Sequence, residues 1–169
     1  MKVETSLEEV VRAVLASEYD AVEASIEIVR ETRTDKDAAV AVAFDRRDGS
    51  PRRGFISMSR DHAGAWRPSG GWSGGPSEAA SDEVFVTDGG WGGSGNKKHA
   101  VFGGWVADPS AVSARLVDPT TGQVLEDRVE NEVVIFMAEG ELPLRYAHVE
   151  LLDADQQILR AAPAQRRVR

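Results

Sequence analysis

Between Gly64 and Trp105 the chain gathers all four of its tryptophans (Trp66, Trp72, Trp91, Trp105) and 12 of its 16 glycines. Three of the tryptophans close a Gly-Gly-Trp triplet, at Gly70-Gly71-Trp72, Gly89-Gly90-Trp91 and Gly103-Gly104-Trp105. Glycine admits positive φ and close backbone approach, and tryptophan supplies large rigid contact area. The combination suits a binding surface or a seam between packed halves. Ordinary alternating β sequence lies on both sides of it.

The pattern before this segment opens with a helix over residues 6–18. Ser6 and Glu9 fit a capping box, and Leu7, Val10, Val11, Val14 and Leu15 repeat at helical spacing, with Glu8, Arg12 and Glu18 turned to water. The period then becomes two. Val22, Ala24, Ile26 and Ile28 alternate with polar residues as a half-buried strand. Val40, Val42 and Phe44 alternate with alanines, which predicts a strand covered on both faces. Asp48-Gly49-Ser50-Pro51 turns the chain into a third strand over 54–60. A helix on an antiparallel meander is expected over 1–66.

Residues 67–82 have linker composition, a short strand is expected over 83–87, and 88–96 read as a loop; together 67–96 form a connecting segment. From Lys97 onward the pattern is β, with strands over 99–106, 111–117, 123–129, 133–137, 144–152 and 156–161. Val133–Met137 is an uninterrupted apolar run, the mark of a core strand. Short strands at this spacing with polar turns predict a sandwich over 97–162, followed by a basic tail over 163–169. The fold class is therefore α+β, mostly β.

A chain of 169 residues with 41% hydrophobic and 28% charged residues buries a core without staples. It has no cysteine, which excludes thiol chemistry, disulfides and thiolate metal sites. No apolar leader and no long apolar run occur, so a cytoplasmic protein with no membrane partner is expected. The net charge of −8 disfavours nucleic acid and draws basic partners. Arginine supplies 16 of the 20 basic residues, a bias typical of high-GC bacterial genes.

The stretch GGWVADPSAVSARLVDPTTGQVLEDRVENEVVIFMAEGELPLRYAHVELLDADQQIL carries a turn, a strand, Asp-Pro-x-x-Gly, an apolar strand and a closing Asp-x-Asp hairpin. In this it resembles small immunoglobulin-like modules of bacterial proteins, departing from them at Gln156, where the closing hairpin usually has glycine. The resemblance covers residues 97–162 and implies an immunoglobulin-like β-sandwich with no particular activity. The N-terminal half resembles small bacterial helix-plus-meander proteins and, more distantly, cystatin-like folds.

Several motifs fall short of chemistry. Gly71-Trp72-Ser73-Gly74-Gly75 fits the nucleophile elbow Gly-x-Ser-x-Gly, and Ser73, Asp118 and His148 occur in hydrolase order, but no buried strand leads in and no true helix follows. Gly90–Lys97 approaches a phosphate loop, yet Asn96 stands at the lysine position and a strand follows. His62, His99 and His148 lack metal spacing, and Gln156-Gln157 replaces the glycine and oxygen ligands that Asp153 and Asp155 would need to hold calcium. Arg46, Arg47, Arg52 and Arg53 form a basic knuckle around a turn that Asp45 and Asp48 partly neutralise.

No catalytic residue, metal ligand or cofactor is expected. Trp72, Trp91, Lys97 and Lys98 are the candidate binding residues, with Trp66 and Trp105 expected in the interior. The expected function is a non-catalytic protein-interaction module of a bacterial system: an adaptor, assembly component or immunity-type protein binding another protein. The alternative is a cystatin-like pocket that binds or transforms a small molecule. Buried acid–base side chains in a deep pocket would favour the latter, an exposed apolar patch the former.

Overall fold

The computed structural model describes residues 4–74, 85–94, 97–139 and 146–164, with side chains over 4–70, 101–139 and 146–164. The chain is α+β and mostly β. It divides into two units, one of residues 1–78 and 90–99, the other of residues 79–89 and 100–169.

In the first unit α1 spans Leu7–Glu18. Glu9 N–H donates to Ser6 Oγ at 3.2 Å and Ser6 N–H donates to Glu9 Oε2 at 2.7 Å, so two donors left over at the helix start are satisfied reciprocally. Leu7, Val11, Val14 and Leu15 are buried, while Val10 is half-buried. Arg12, expected in water, is drawn inward to the Ile26 carbonyl at 3.2 Å while holding Glu8 at 3.0 Å.

The strand expected over 22–28 begins later. Glu23–Ser25 form a turn of 3-10 helix, and β1 runs Glu27–Arg33. The Ser25 hydroxyl donates to the Val22 carbonyl at 2.6 Å and accepts from the Asp45 N–H at 2.8 Å. A side chain thereby closes the backbone locally, in competition with a strand ladder.

β2 (Asp37–Asp45), β3 (Pro51–Arg60) and β4 (Trp66–Gly74) complete an antiparallel sheet of order β1-β2-β3-β4. β2 is buried on both faces, as its Ala/Val alternation predicts: Val40, Val42 and Phe44 join Leu7, Val11 and Leu15 in one core, and Ala39 and Ala41 are buried too. Trp66 belongs to the same core.

β4 corrects the linker reading of 67–82 over residues 67–74, and 75–82 lie outside the described residues. Trp66–Gly74 pair with Arg53–Arg60 across a hairpin in which Gly64, at φ +83°, takes the left-handed position after Asp61-His62-Ala63. Asp61 N–H donates to the Ala65 carbonyl and Gly64 N–H to the Asp61 carbonyl, the pattern of a type I turn closed by a glycine bulge. Pro68 adjoins a bulge at Ser69, where a missing donor does least harm. Glycines that look like a linker are tolerated in a strand once β3 supplies their hydrogen bonds. Asp88–Ser94, read as loop, likewise lie in β5 (Phe85–Ser94).

β6 (Lys97–Val106), β7 (Ser113–Val117), β8 (Val124–Arg128), β9 (Val133–Glu139), β10 (His148–Leu152) and β11 (Ile158–Pro163) follow. They form a sheet of order β11-β10-β7-β8 and, with β5, a sheet of order β5-β6-β9. Both contribute to one core: Phe102 and Val106 from β6, Val134 and Phe136 from β9, Ala114 and Leu116 from β7, Val149 and Leu151 from β10. Phe102 and Phe136 stack with centroids 6.3 Å apart. Val133–Phe136 are buried and Met137 is half-buried, so the apolar run is the core strand its composition predicts.

Asn131 (φ +51°) and Glu132 (φ +65°) turn β8 into β9, with paired hydrogen bonds between Glu130 and Val133. Two consecutive positive φ angles define a type I′ turn, which asparagine-glycine fits best. Glu132 occupies the glycine position. Glu132→Gly should raise stability by about 0.5–1 kcal/mol, the left-handed strain relieved exceeding the added freedom of the unfolded chain. A urea midpoint that falls would disprove this.

Candidate functional site

A cleft of about 890 Å³ lies in the first unit, between α1 and the β3–β4 hairpin. Val10, Ala13, Val14, Trp66 and Pro68 line its apolar part. Its charged rim is already engaged. Arg60 donates to Glu4 Oε1 at 3.0 Å and to the Gly64 carbonyl at 2.7 Å, and its guanidinium lies 4.3 Å from the Trp66 ring centre. Asp61 Oδ1 accepts from the Ala63 and Ala65 N–H groups, and Oδ2 accepts from Arg67 at 3.0 Å. The Arg67 hydrogen bond, with those backbone donors, holds the Asp61 carboxyl below its usual range. Glu9 is held low by the Ser6 backbone donor and hydroxyl. Neither Asp61 nor Glu9 is a base poised near neutrality.

The second unit presents a different surface. Among the described residues β11 is the outermost strand of its sheet, and Ile158–Ala161 and Pro163 are exposed. Ile158 is 54% exposed and Leu159 36%. Leu152 pairs with Ile158 and Leu151 with Arg160, so Leu159 is the extra residue of a bulge. An edge strand turns alternate N–H and C=O groups outward, and proteins usually guard such edges with charge. β1 carries Glu27, Arg30, Glu31 and Arg33, and β8 carries Glu126, Asp127 and Arg128. β11 has a single ionised side chain, Arg160, among aliphatic residues.

Opposite the core, the same sheet displays a row of charges. Glu126, Arg115, Glu150 and Ala161 are register partners across β8, β7, β10 and β11. Arg115 Nε stands 3.7 Å from Glu126 and 3.5 Å from Glu150, and His148 Nε2 is 3.5 Å from the other Glu150 oxygen. The row alternates in sign and ends at the Ala161 methyl.

Trp72, Trp91, Lys97 and Lys98 have backbones in β4, β5 and β6, and their side chains lie outside the described residues. The same holds for Ser73 and His99. Trp66 and Trp105 are both buried, 4% and 7% exposed. Asp118 is buried as well, and its carboxylate accepts from the Thr120 N–H and hydroxyl at Oδ1 and from the Thr121 hydroxyl at Oδ2. It secures the β7–β8 turn, where Gly122 sits at φ +73°. His148 faces Glu150 from the neighbouring register position on β10. Among the described residues no group of three or more His, Asp or Glu side chains is arranged to hold a metal, and no helix is long and apolar enough to cross a membrane.

Thr120 and Thr121 hold the Asp118 carboxyl below its usual range, the Thr120 hydroxyl foremost, against the opposing effect of burial. The folded carboxyl is then the stronger acid. Its stabilisation is whole above roughly pH 4 and is lost as pH falls through the lower folded value. Asp118→Asn should therefore flatten the fall in stability below that point, as followed by urea midpoints at successive pH values; an unchanged slope would contradict the assignment.

Sequence reasoning missed β11 as a surface. Its signal was present, since Ile158-Leu159-Arg160-Ala161-Ala162 carries one charge and little alternation. Edge position, however, follows from strand order. The chain matches no protein-family model, and comparison with curated proteins and with solved structures gives no match either.

Proposed function

We propose that this chain is a non-catalytic protein-interaction module of a bacterial cytoplasmic system, an adaptor, assembly component or immunity-type protein, whose second unit is an immunoglobulin-like sandwich that docks another protein along β11. The observation that carries this reading is the exposed aliphatic edge of β11, in contrast to the charged edges β1 and β8. The net charge of −8 favours a basic partner.

The test is capture from the native host with the full chain and two variants. Wild type should retain one partner at constant stoichiometry, and Ile158→Lys with Leu159→Lys should lose it while melting normally, because both side chains are exposed. Trp91→Ala should retain it. The opposite result, loss with Trp91→Ala and retention with the double variant, would move the surface to the glycine–tryptophan segment. The cleft beside α1 is the observation that favours the alternative, a cystatin-like small-molecule pocket. A metabolite that co-purifies and shifts resonances of Val10 and Ala13 would establish that alternative.

A further inference from the structure

We infer that β11 binds by strand addition: an extended segment of a basic partner pairs with its open edge and places a lysine or arginine in the row of Ala161. This deepens the docking surface proposed above and rests on it. Three observations converge.

The first is backbone chemistry. β11 pairs with β10 on one side, and the outward N–H and C=O groups of an edge strand are completed best by another strand. The Leu159 bulge and Pro163, which lacks an N–H, bracket a short pairing segment and so limit the register.

The second is charge. Along Glu126, Arg115 and Glu150 two carboxylates share one guanidinium, with the His148 ring beside the other Glu150 oxygen, and the next position is the exposed Ala161 methyl. A strand added beyond β11 lies about 10 Å from β10, two strand spacings, which a long basic side chain lying across a methyl group spans toward Glu150. Lysine or arginine there continues the alternation of sign, whereas glutamate adds a third negative charge to the row.

The third separates a foreign segment from a second copy. Two copies each carrying −8 repel, whereas a basic segment is attracted.

Short synthetic peptides Val-Thr-Val-Xaa-Val-Thr-Val, with Xaa lysine, alanine or glutamate, titrated into the isotope-labelled full chain test the inference by backbone resonance shifts. The lysine peptide should shift amides of 158–162 and bind about tenfold more tightly than the glutamate peptide. Its N-methylated form, with outward donors blocked, should not bind. In Glu150→Gln the preference for lysine over glutamate should shrink to about twofold. The comparison among peptides uses one folded protein, so it stands whatever this variant's stability. Equal affinity for lysine and glutamate peptides, shifts confined to other strands, or none up to about 1 mM would overturn the inference. If a host partner is captured through β11 while these peptides give no shifts, strand addition fails and the docking surface survives.

Discussion

Val11→Asp should unfold the first unit, with a loss of more than about 4 kcal/mol. Val11 is completely buried, in a core with Leu7, Leu15, Val40, Val42, Ile56 and Met58. Among the described residues no basic side chain is buried, so a carboxylate there must ionise unpaired or take up a proton. The same change at Val14 should be milder, because Val14 borders the cleft and its carboxylate can turn outward. Trp66, in the same core, gives a fluorescence readout to follow in urea. An unchanged midpoint for Val11→Asp would remove α1 from the core.

Phe136→Ala should destabilise the second unit by about 3–5 kcal/mol, the scale for truncating a core aromatic. Phe136 is 1% exposed, stacks on Phe102 and belongs to a core fed by both sheets of its unit. β-strands on either side hold the surrounding side chains in place, so the cavity collapses poorly. Ile158→Ala, on the exposed edge, should change stability by less than about 0.5 kcal/mol. Comparable losses at the two positions, measured by chemical denaturation, would contradict the division between a shared core and an open edge.

The elements that were legible are those whose signal is local. Ser6 and Glu9 announce the start of α1 because a capping box closes within one turn. The Ala/Val alternation of β2 and the apolar run of β9 mark strands covered on both sides. Less legible were elements decided by a distant partner. Residues 67–74 look like a linker until β3 lies beside them, and Val22–Ser25 look like a strand until the Ser25 hydroxyl reaches Asp45. Gln156, where the resemblance leads one to expect glycine, adopts φ +61°: the hairpin keeps glycine's conformation without glycine, held by Asp153 Oδ1 accepting from the Asp155 and Gln157 N–H groups.

The candidate surface divides in the same way. From the sequence alone came an acidic chain without cysteine, a mostly β fold and a glycine–tryptophan middle, because charge, composition and side-chain period are properties of neighbours along the chain. Which strand stands at an edge is settled by the order in which strands pair, and that order depends on the whole set of competing partners. Ile158 and Leu159 would read as core in a central strand. At the end of the sheet, beside β10, they are exposed, and the row Glu126, Arg115, Glu150, drawn from three separate strands, exists only once β8, β7 and β10 are in register.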